Sequence, residues 1–348
     1  MSRTTQMYLP FDYWPADDQT RWKAAFKTGD LFDESGLGAH LAESTRKASR
    51  ESYGRFLGFI SGSHPDLLSS PPHDRVNRTI LAEYADWRRR SCGEFLLSID
   101  LDHLRGALKL ICPGVDWSWL LTITKRIAAA APRRRPKYHL VTSERLYALG
   151  VQLMDGAVAD AEAAGQTTKR QGFQYRDGLM IALLALDPMR SRTFTAIRIG
   201  KQLVKTGDAW ALDIPSSDTK SGRPLDYPIP SELSSRIDLY LRRFRSRIPG
   251  AESHTSPWAS NQGRPMCAGA IYDTVCKRTK NAFGFAINLH RFRHAAATFW
   301  SIHDPANVHG SKDLLGQVSF QMTEKHYIMG QSRLAGRAVA RIVDQLRR

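Results

Sequence analysis

Apolar residues recur with a helical period through the first third of the chain. One set is spaced i, i+3, i+4 and i+7, which places its members on a single helix face. Its members are Tyr53, Phe56, Leu57 and Ile60. Comparable patterns predict further helices over 80–90, from 100 to a stop at Pro113, and from 117 to 131. We therefore interpret 39–131 as a small all-helical domain.

The residues before this domain lack a sustained period. Within 1–38 the chain has several aromatic residues, Pro10, Pro15 and scattered glycines. Proline and glycine interrupt regular elements, so this composition favours irregular structure. We expect an extended N-terminal arm with one short helix near 20–27.

A basic segment follows the helical domain. The sequence PRRRP at 132–136 places Arg133, Arg134 and Arg135 between two prolines. A helix does not continue through it, because proline lacks an amide hydrogen and restricts the residue before it. We assign 132–140 to a basic linker. It is equally consistent with a solvated charge run and with a linker that contacts the backbone of a polyanion.

The remainder of the chain mixes helical and strand patterns. Helices are predicted over 143–164 and 175–186 and from 269 onward. Strands are predicted over 197–204, 210–214 and 225–229, with the turn residues Ser221 and Gly222 between the last two. We assign 141–332 to an α+β domain and 333–348 to a C-terminal helix. The expected fold class is mostly α with a small β-sheet, built on an N-terminal all-helical domain and an α+β domain.

The charge of the chain points to a class of partner. Among 348 residues, 50 Lys and Arg stand against 34 Asp and Glu, which gives a formal net charge of +16. Such a surplus favours a polyanion, because each phosphate that a protein neutralises releases counterions. An RNA-binding domain of the RRM or KH type lacks support, since we find no aromatic RNP-like strand and no GxxG loop.

Cysteine use and hydropathy exclude other classes. The four cysteines form no CxxC pair, which disfavours both a zinc ribbon and a disulfide framework. We expect reduced thiols in a cytosolic protein. No apolar run reaches 18 residues, and the first residues lack an apolar signal core. The sequence therefore predicts neither a membrane span nor a secreted protein.

Two basic residues lie where the chain could meet an anion. In the segment DPMRSRT, Asp187 suits a helix N-cap and Pro188 the first helical position. Arg190 would then lie in the first helical turn, where free backbone N–H groups favour anions, and its guanidinium could hold a phosphate by two parallel hydrogen bonds. Arg192 is the alternative, but the spacing to the apolar positions that follow favours Arg190. Lys220 is predicted at the tip of the hairpin between the last two strands.

A third segment, NLHRFRHAAATF, combines histidine and arginine on one predicted helix. Asn288 suits its N-cap. One face carries His290, Arg293, His294 and Ala297. The opposite face, assigned to the core, carries Phe292, Ala295, Ala296 and Phe299. The zinc motif HExxH does not fit, because the glutamate is missing. A histidine near a helix N-terminus tends to stay neutral, which suits a proton acceptor.

The fourth segment is LLGQVSFQMTEKHY, which contains Gln317 and Tyr327. The four segments are best described by the distances in sequence between their candidate residues. His290 follows Arg190 by 100 residues, Arg293 follows His290 by 3, and Tyr327 follows Arg293 by 34.

In this order, the motifs resemble the active-site signature of the tyrosine recombinases. That signature is an arginine, a hairpin lysine, His-x-x-Arg, Leu-Leu-Gly-(His or Trp) and a tyrosine. MIALLALDPMRSRTFTAIRI is similar to the family's first box, LHRFRHAAATFW to the second and LLGQVSFQMTEKHY to the last. The resemblance covers about 140–330. The region 39–131 resembles the family's core-binding domain in size and helical content, which is a less specific match.

The resemblance implies a catalytic set: Tyr327, Arg190, Lys220, His290, Arg293 and Gln317. Tyr327 would attack the scissile phosphate and form a 3′-phosphotyrosyl link. The two arginines would neutralise the non-bridging oxygens, and Lys220 would protonate the departing 5′ oxygen. His290 would accept the phenol proton or position the phosphate. The resemblance implies no metal and no other cofactor.

This chain departs from the family's pattern at three points. Thr193 stands where the family often has glutamate, and Gln317 stands at the His or Trp position. A glutamine can donate a hydrogen bond to a phosphate oxygen but carries no charge. Tyr327 follows Gln317 by 10 residues, one more than is usual in the family.

The resemblance also implies partners. We expect double-stranded DNA at specific recombination sites, a homo-tetramer on that DNA, and accessory DNA-bending proteins or a partner recombinase. The setting would be a mobile element in a bacterial cytoplasm, with the protein on the nucleoid when bound. The residues expected to contact the DNA backbone are Lys125, Arg126, Arg133, Arg134 and Arg135. The helix at 333–348 would dock on a neighbouring protomer or pack on its own domain.

Two alternatives share much of this pattern. A type IB topoisomerase performs the same chemistry on one duplex without recombination. A DNA-binding protein whose site has decayed would keep the fold and the charge, and the glutamine at position 317 is the feature that favours it.

Overall fold

In the computed structural model, the described residues are 8–30, 34–132, 141–219, 222 and 224–303. The chain divides into two compact units, Met1–Lys137 and Tyr138–Arg348. Each unit has a hydrophobic core of its own.

The described part of unit 1 is helical. Its helices are α1 (Ala16–Ala25), α2 (Glu43–Ser63), α3 (Arg78–Arg89), α4 (Glu94–Ile111) and α5 (Ser118–Ala130). The predicted apolar face of α2 is confirmed, since Tyr53, Phe56, Leu57 and Ile60 are all 0% exposed. Asn77 caps α3, because its side chain accepts a hydrogen bond from the Ile80 amide at 3.0 Å.

The first described residues do not form an extended arm. Trp14 and Trp22 are buried in the core of unit 1, and the Trp14 ring packs edge-on against Trp22 and Tyr53 at centroid distances of 5.6 and 4.9 Å. Asp18 of α1 is fully buried and pairs with Arg75 at 2.5 Å. The expectation of an arm is wrong for this stretch, because its aromatic side chains complete the core that the other helices leave open.

Unit 2 combines helices with one sheet. Its helices are α6 (Ser143–Ala163), α7 (Lys169–Leu186), α8 (Ser191–Ala196), α9 (Ser231–Leu239), α10 (Ala268–Phe283) and α11 (Leu289–His303). Helices α6 and α7 approach closely where both carry glycine. A Cβ atom at Gly150 would lie 2.7 Å from the Ala182 amide nitrogen, and one at Gly178 would lie 2.6 Å from the Gly150 carbonyl oxygen. After α9 the chain forms a π-helical turn, Tyr240–Phe244, which the sequence pattern did not predict.

The sheet has three antiparallel strands in the order β1 (Leu203–Thr206), β2 (Ala209–Ile214) and β3 (Leu225–Pro228). The predicted strand over 197–204 begins too early. Gly200 has φ +78°, and the Gln202 amide donates to the Arg198 carbonyl at 3.0 Å, so the chain turns there before β1 begins. The pairing of Ile214 with Leu225 makes 215–224 the connection between β2 and β3.

Across the described residues, no helix has the length and apolar character that crossing a membrane would require.

Candidate active site

Arg190 lies where α7 ends and α8 begins. The Asp187 amide donates to the Leu183 carbonyl at 2.8 Å, so Asp187 closes α7. Pro188 cannot extend this helix, because it has no amide hydrogen. Arg190 then takes the N-cap position of α8 with extended backbone. The prediction that Asp187 caps the helix that carries Arg190 is therefore wrong, since its amide completes the preceding helix and the next one begins at Ser191.

Arg190 and Arg192 have different surroundings. Arg192 is exposed, whereas Arg190 is half-buried. The charge of Arg190 lowers the pKa of both His290 and Arg293, which requires that it lie near them. Of the two candidate arginines, Arg190 is thus the one that the structure brings to α11.

Asn288 caps the start of α11 from the position before Leu289, as the sequence predicts. Its Oδ1 accepts a hydrogen bond from the Arg291 amide at 3.1 Å, which satisfies one of the amides left open at a helix start. One residue earlier, the Ile287 amide donates to the Thr279 hydroxyl of α10 at 2.9 Å. These bonds fix where the helix starts, and thereby which of its side chains lie in the first turns.

The middle of α11 is buried on more sides than the two-face prediction allows. Phe292, Ala295 and Ala296 are buried, as expected of the core face. Arg293 and Ala297 are buried as well, at 8% and 3% exposed. Helix α11 packs against both α6 and α7, whereas His290 of the predicted polar face is exposed and His294 is half-buried.

Arg293 connects α11 to the segment that precedes Arg190. Its Nη1 donates to the Pro188 carbonyl oxygen at 2.6 Å. This bond joins residues 105 positions apart in the sequence. Its acceptor, Pro188, lies two residues before Arg190. The structure therefore brings Arg190, His290 and Arg293 into one cluster.

The electrostatics of the cluster follow from two like charges near each other. Burial, together with the positive charge of Arg190, lowers the pKa of Arg293 to about 10. Burial also lowers the pKa of His290 below its ordinary value, with both arginines acting in the same direction. An imidazole with a lowered pKa is neutral at pH 7 and can accept a proton.

Two further ionisable residues lie beside the arginines, and the sequence predicted neither of them in this site. Burial raises the pKa of Tyr227, on β3; the Asp187 carboxylate adds to the rise, while Arg293 and Arg190 oppose it. Burial raises the pKa of Asp187 itself to about 7. Alternation along β3 indicates that Tyr227 is buried, but no local signal brings this strand to an arginine of α11.

The remaining predicted residues divide into two groups. Lys125 and Arg126 are exposed on α5 of unit 1. The others lie outside the described residues: Lys220, Gln317, Tyr327, Arg133, Arg134 and Arg135.

The described residues contain no group of three or more His, Cys, Asp and Glu side chains that could hold a metal ion. His290 and His294 pack edge-on with ring centroids 4.6 Å apart. Two imidazoles are fewer than the three or four protein ligands that zinc sites use.

Comparison with known proteins identifies the fold. No protein-family model matches the sequence, and no curated protein sequence matches it. Solved structures are similar to it, among them the following two. A lambda integrase dimer bound to a COC′ core site aligns with a TM-score of 0.50 and 12% identity, over 84% of this chain and 73% of that one. This chain has the tyrosine recombinase fold. XerA recombinase aligns with a TM-score of 0.41 and 14% identity, over 92% of this chain and 98% of that one.

Within the tyrosine recombinase fold, the cluster is suited to binding an anion. It presents two guanidinium groups and a neutral imidazole around the loop that joins α7 to α8. A phosphate diester has two non-bridging oxygens, and an arginine can donate two parallel hydrogen bonds to such a group. A site of this kind could stabilise the negative charge that builds up when the phosphorus is attacked.

Proposed function

We propose that the protein is a site-specific DNA recombinase that cuts and rejoins DNA through a covalent 3′-phosphotyrosyl intermediate. The observation that carries this proposal is the cluster of Arg190, His290 and Arg293 in a chain with the tyrosine recombinase fold. Their order and spacing in the sequence match the family's signature, and the effect of both arginines on the pKa of His290 supports the same grouping.

In the proposed reaction, the Tyr327 oxygen attacks the scissile phosphorus and the bond from phosphorus to the 5′ oxygen breaks. The phenol proton passes to His290, and Lys220 gives a proton to the departing 5′ oxygen. A phenol has a pKa of about 10, so it needs such a proton acceptor at neutral pH. In the reverse step a 5′ hydroxyl attacks the phosphotyrosyl link, and a hydroxyl from a different strand completes strand exchange.

The arginines act on the phosphate itself. Arg190 and Arg293 neutralise the non-bridging oxygens as negative charge develops, and Gln317 adds one neutral hydrogen bond. The covalent link stores the energy of the broken phosphodiester, so strand joining needs no high-energy cofactor.

DNA binding in this proposal depends on the basic surface. Lys125 and Arg126 of α5, with Arg133, Arg134 and Arg135, contact the phosphate backbone of the duplex. The enzyme acts as a homo-tetramer on two duplexes, with accessory proteins as the site requires, and serves a mobile element. Affinity should fall steeply as salt rises, because each phosphate contact releases counterions.

Covalent capture tests the reaction. We would incubate the protein in EDTA with labelled duplexes from the DNA that flanks its gene, nicked so that the cut end diffuses away. The wild type should give a protein–DNA band on a denaturing gel, and Tyr327→Phe should give none. Tyr272→Phe, which alters an exposed tyrosine of the same unit, is the matched control and should behave as the wild type.

Other outcomes separate the alternatives. A band that survives Tyr327→Phe would show that another residue is the nucleophile. Relaxation of supercoiled plasmid by a monomer without site preference would favour a type IB topoisomerase. Tight binding without a band on any duplex would favour a DNA-binding protein whose site has decayed.

A further inference from the structure

Asp218, in the connection between β2 and β3, is held by side chains from two other elements. The Thr193 hydroxyl of α8 donates to the Asp218 carbonyl oxygen at 3.1 Å. The side-chain amide of Gln202 donates to the Asp218 carboxylate at 2.8 Å. Thr193 and Gln202 are 5% and 3% exposed, so water competes little for either bond.

Both anchors are themselves fixed in the fold. The Gln202 side-chain oxygen accepts from the Arg198 amide at 3.1 Å, which orients the side chain toward Asp218. The residue after Thr193 is Phe194, whose ring stacks on Trp258 at a centroid distance of 5.0 Å, and the Trp258 indole donates to the Phe194 carbonyl at 3.3 Å. Asp218 is thus tied to the core of unit 2.

Lys220 follows Asp218 by two residues in the sequence and itself lies outside the described residues. Helix α8 also follows Arg190 directly, with Thr193 three residues later. The short helix α8 therefore begins directly after Arg190 and, through the Thr193 hydroxyl, also holds Asp218, which lies two residues before Lys220 in the sequence.

We propose that Thr193 and Gln202 are positioning residues. By holding Asp218, they align Lys220 with the departing 5′ oxygen of the same phosphate that Arg190 binds. This inference rests on the proposed function. It also gives a reason for threonine where similar recombinases often have glutamate. An ionised glutamate only accepts hydrogen bonds and would repel the Asp218 carbonyl, whereas a hydroxyl donates to it.

The leaving group distinguishes this role from a general structural one. In a substrate with sulfur in place of the bridging 5′ oxygen, the departing thiolate needs no proton, because a thiol is far more acidic than an alcohol. A variant that only misplaces Lys220 should therefore be slow on the oxygen substrate and recover on the sulfur substrate. A variant that damages phosphate binding should be slow on both.

We would measure single-turnover cleavage of both substrates by Thr193→Val, Thr193→Ser and Gln202→Met, with Lys220→Ala and Arg190→Ala as references. Thr193→Val and Gln202→Met should lose on the order of 100-fold on the oxygen substrate and regain most of it on the sulfur substrate, as Lys220→Ala should. Thr193→Ser, which keeps the hydroxyl, should stay close to the wild type. Arg190→Ala should be slow on both substrates.

Each remaining outcome has a definite meaning. If Lys220→Ala recovers with sulfur but Thr193→Val and Gln202→Met do not, or if neither variant is impaired, the positioning role is wrong and the proposed function stands. If the wild type cleaves neither substrate, the proposed function fails and this inference with it. Gln202→Met tests the anchor from the other side should Thr193→Val not fold.

Discussion

Each unit contains a group of buried charges, and the two groups are built in opposite ways. In unit 1, Asp100 is 3% exposed and accepts hydrogen bonds from Arg55 at 2.6 Å, Arg88 at 2.9 Å and Tyr84 at 2.7 Å. In unit 2, two arginines lie near each other, and burial and Arg190 together lower the pKa of Arg293. Positive and negative charges compensate in the first group, whereas like charges meet in the second.

The difference separates charges that hold the fold from charges that serve a ligand. Burial alone would raise the pKa of Asp100, but hydrogen bonds from Arg55 and Tyr84 outweigh it and the pKa is lowered. The Asp100 carboxylate is therefore better stabilised in the folded chain than in water. The Arg293 guanidinium of unit 2 is less well stabilised as a cation than in water, and a destabilised buried charge of this kind is typical of a functional site. A bound phosphate would offset this destabilisation, because its negative charge favours the charged form of the guanidinium.

The largest effect should come from removing an arginine of unit 2. Arg293→Met should lower the rate of covalent DNA capture on the order of 1,000-fold, because one donor to the transition-state charge is lost. Its stability should stay within about 2 kcal/mol of the wild type, since relief of like-charge repulsion opposes the loss of the hydrogen bond to Pro188. Capture kinetics and chemical unfolding would measure the two quantities.

The matched control for net charge is Lys280→Met, which removes an exposed cation from α10 of the same unit. It should leave the cleavage rate close to that of the wild type. If Arg293→Met cleaved normally, or if it unfolded as easily as a variant with an unpaired buried charge, the distinction between the two units would be wrong.

Asp187 offers a test by pH. Its pKa is raised from an ordinary value near 3.8 to about 7, so the folded state holds a proton that the unfolded state has released. Between these values stability should fall as pH rises, by roughly 4 kcal/mol in total, since one pKa unit corresponds to about 1.4 kcal/mol. Asp187→Asn should remove this fall, so that the variant matches the wild type near pH 4 and is more stable above pH 7.

Chemical unfolding of both proteins from pH 4 to pH 9 would check this, with the difference between them as the measured quantity. Asp213→Asn, on the exposed side of β2, controls for the loss of one carboxylate. A constant difference between Asp187→Asn and the wild type across the range would contradict the assignment.

The helices and their apolar faces could be predicted because they depend on neighbours in sequence. The α2 face and the Asn288 cap are of this kind. The prediction failed where distant residues decide. Trp14 and Trp22 show no helical period, yet the core of unit 1 buries them. Asp187 and Pro188 carry the local signal of a helix start, but the end of α7 uses the Asp187 amide first.

The candidate site depends even more on residues that are distant in sequence. Nothing local indicates that Arg190 and Arg293 meet, since 103 residues separate them in the sequence. Their pairing was expected from motif order alone, which carries no distances. Motif order also gave no hint of Asp187 or Tyr227, because these residues act through burial and proximity. The bond from Thr193 to Asp218 depends likewise on how the sheet packs against α8.

Unit 1 should respond to the loss of an arginine in its stability. Arg88→Met should lower the free energy of unfolding of this unit by about 2 kcal/mol, because the buried Asp100 carboxylate loses a charged hydrogen bond. Arg89→Met is the matched control: the neighbouring arginine makes exposed ion pairs with Asp86 and Glu94, which contribute less than about 1 kcal/mol. Urea unfolding followed by tryptophan fluorescence would compare them, and equal losses would show that burial of Asp100 is not what matters.

The smallest effect should come from exposed charges of unit 1, which face solvent on α5 and hold no part of the core. Lys125→Gln with Arg126→Gln should leave stability unchanged but flatten the slope of log affinity against log salt by about 0.9 for each DNA phosphate contact that is lost. The matched control is Lys169→Gln with Arg170→Gln, an adjacent exposed pair at the start of α7 in unit 2. Equal changes in both double variants would mean that only net charge matters. A change confined to the α5 pair would mean that α5 lies along the DNA, so that unit 1 would use its buried charges for the fold and its exposed charges for binding.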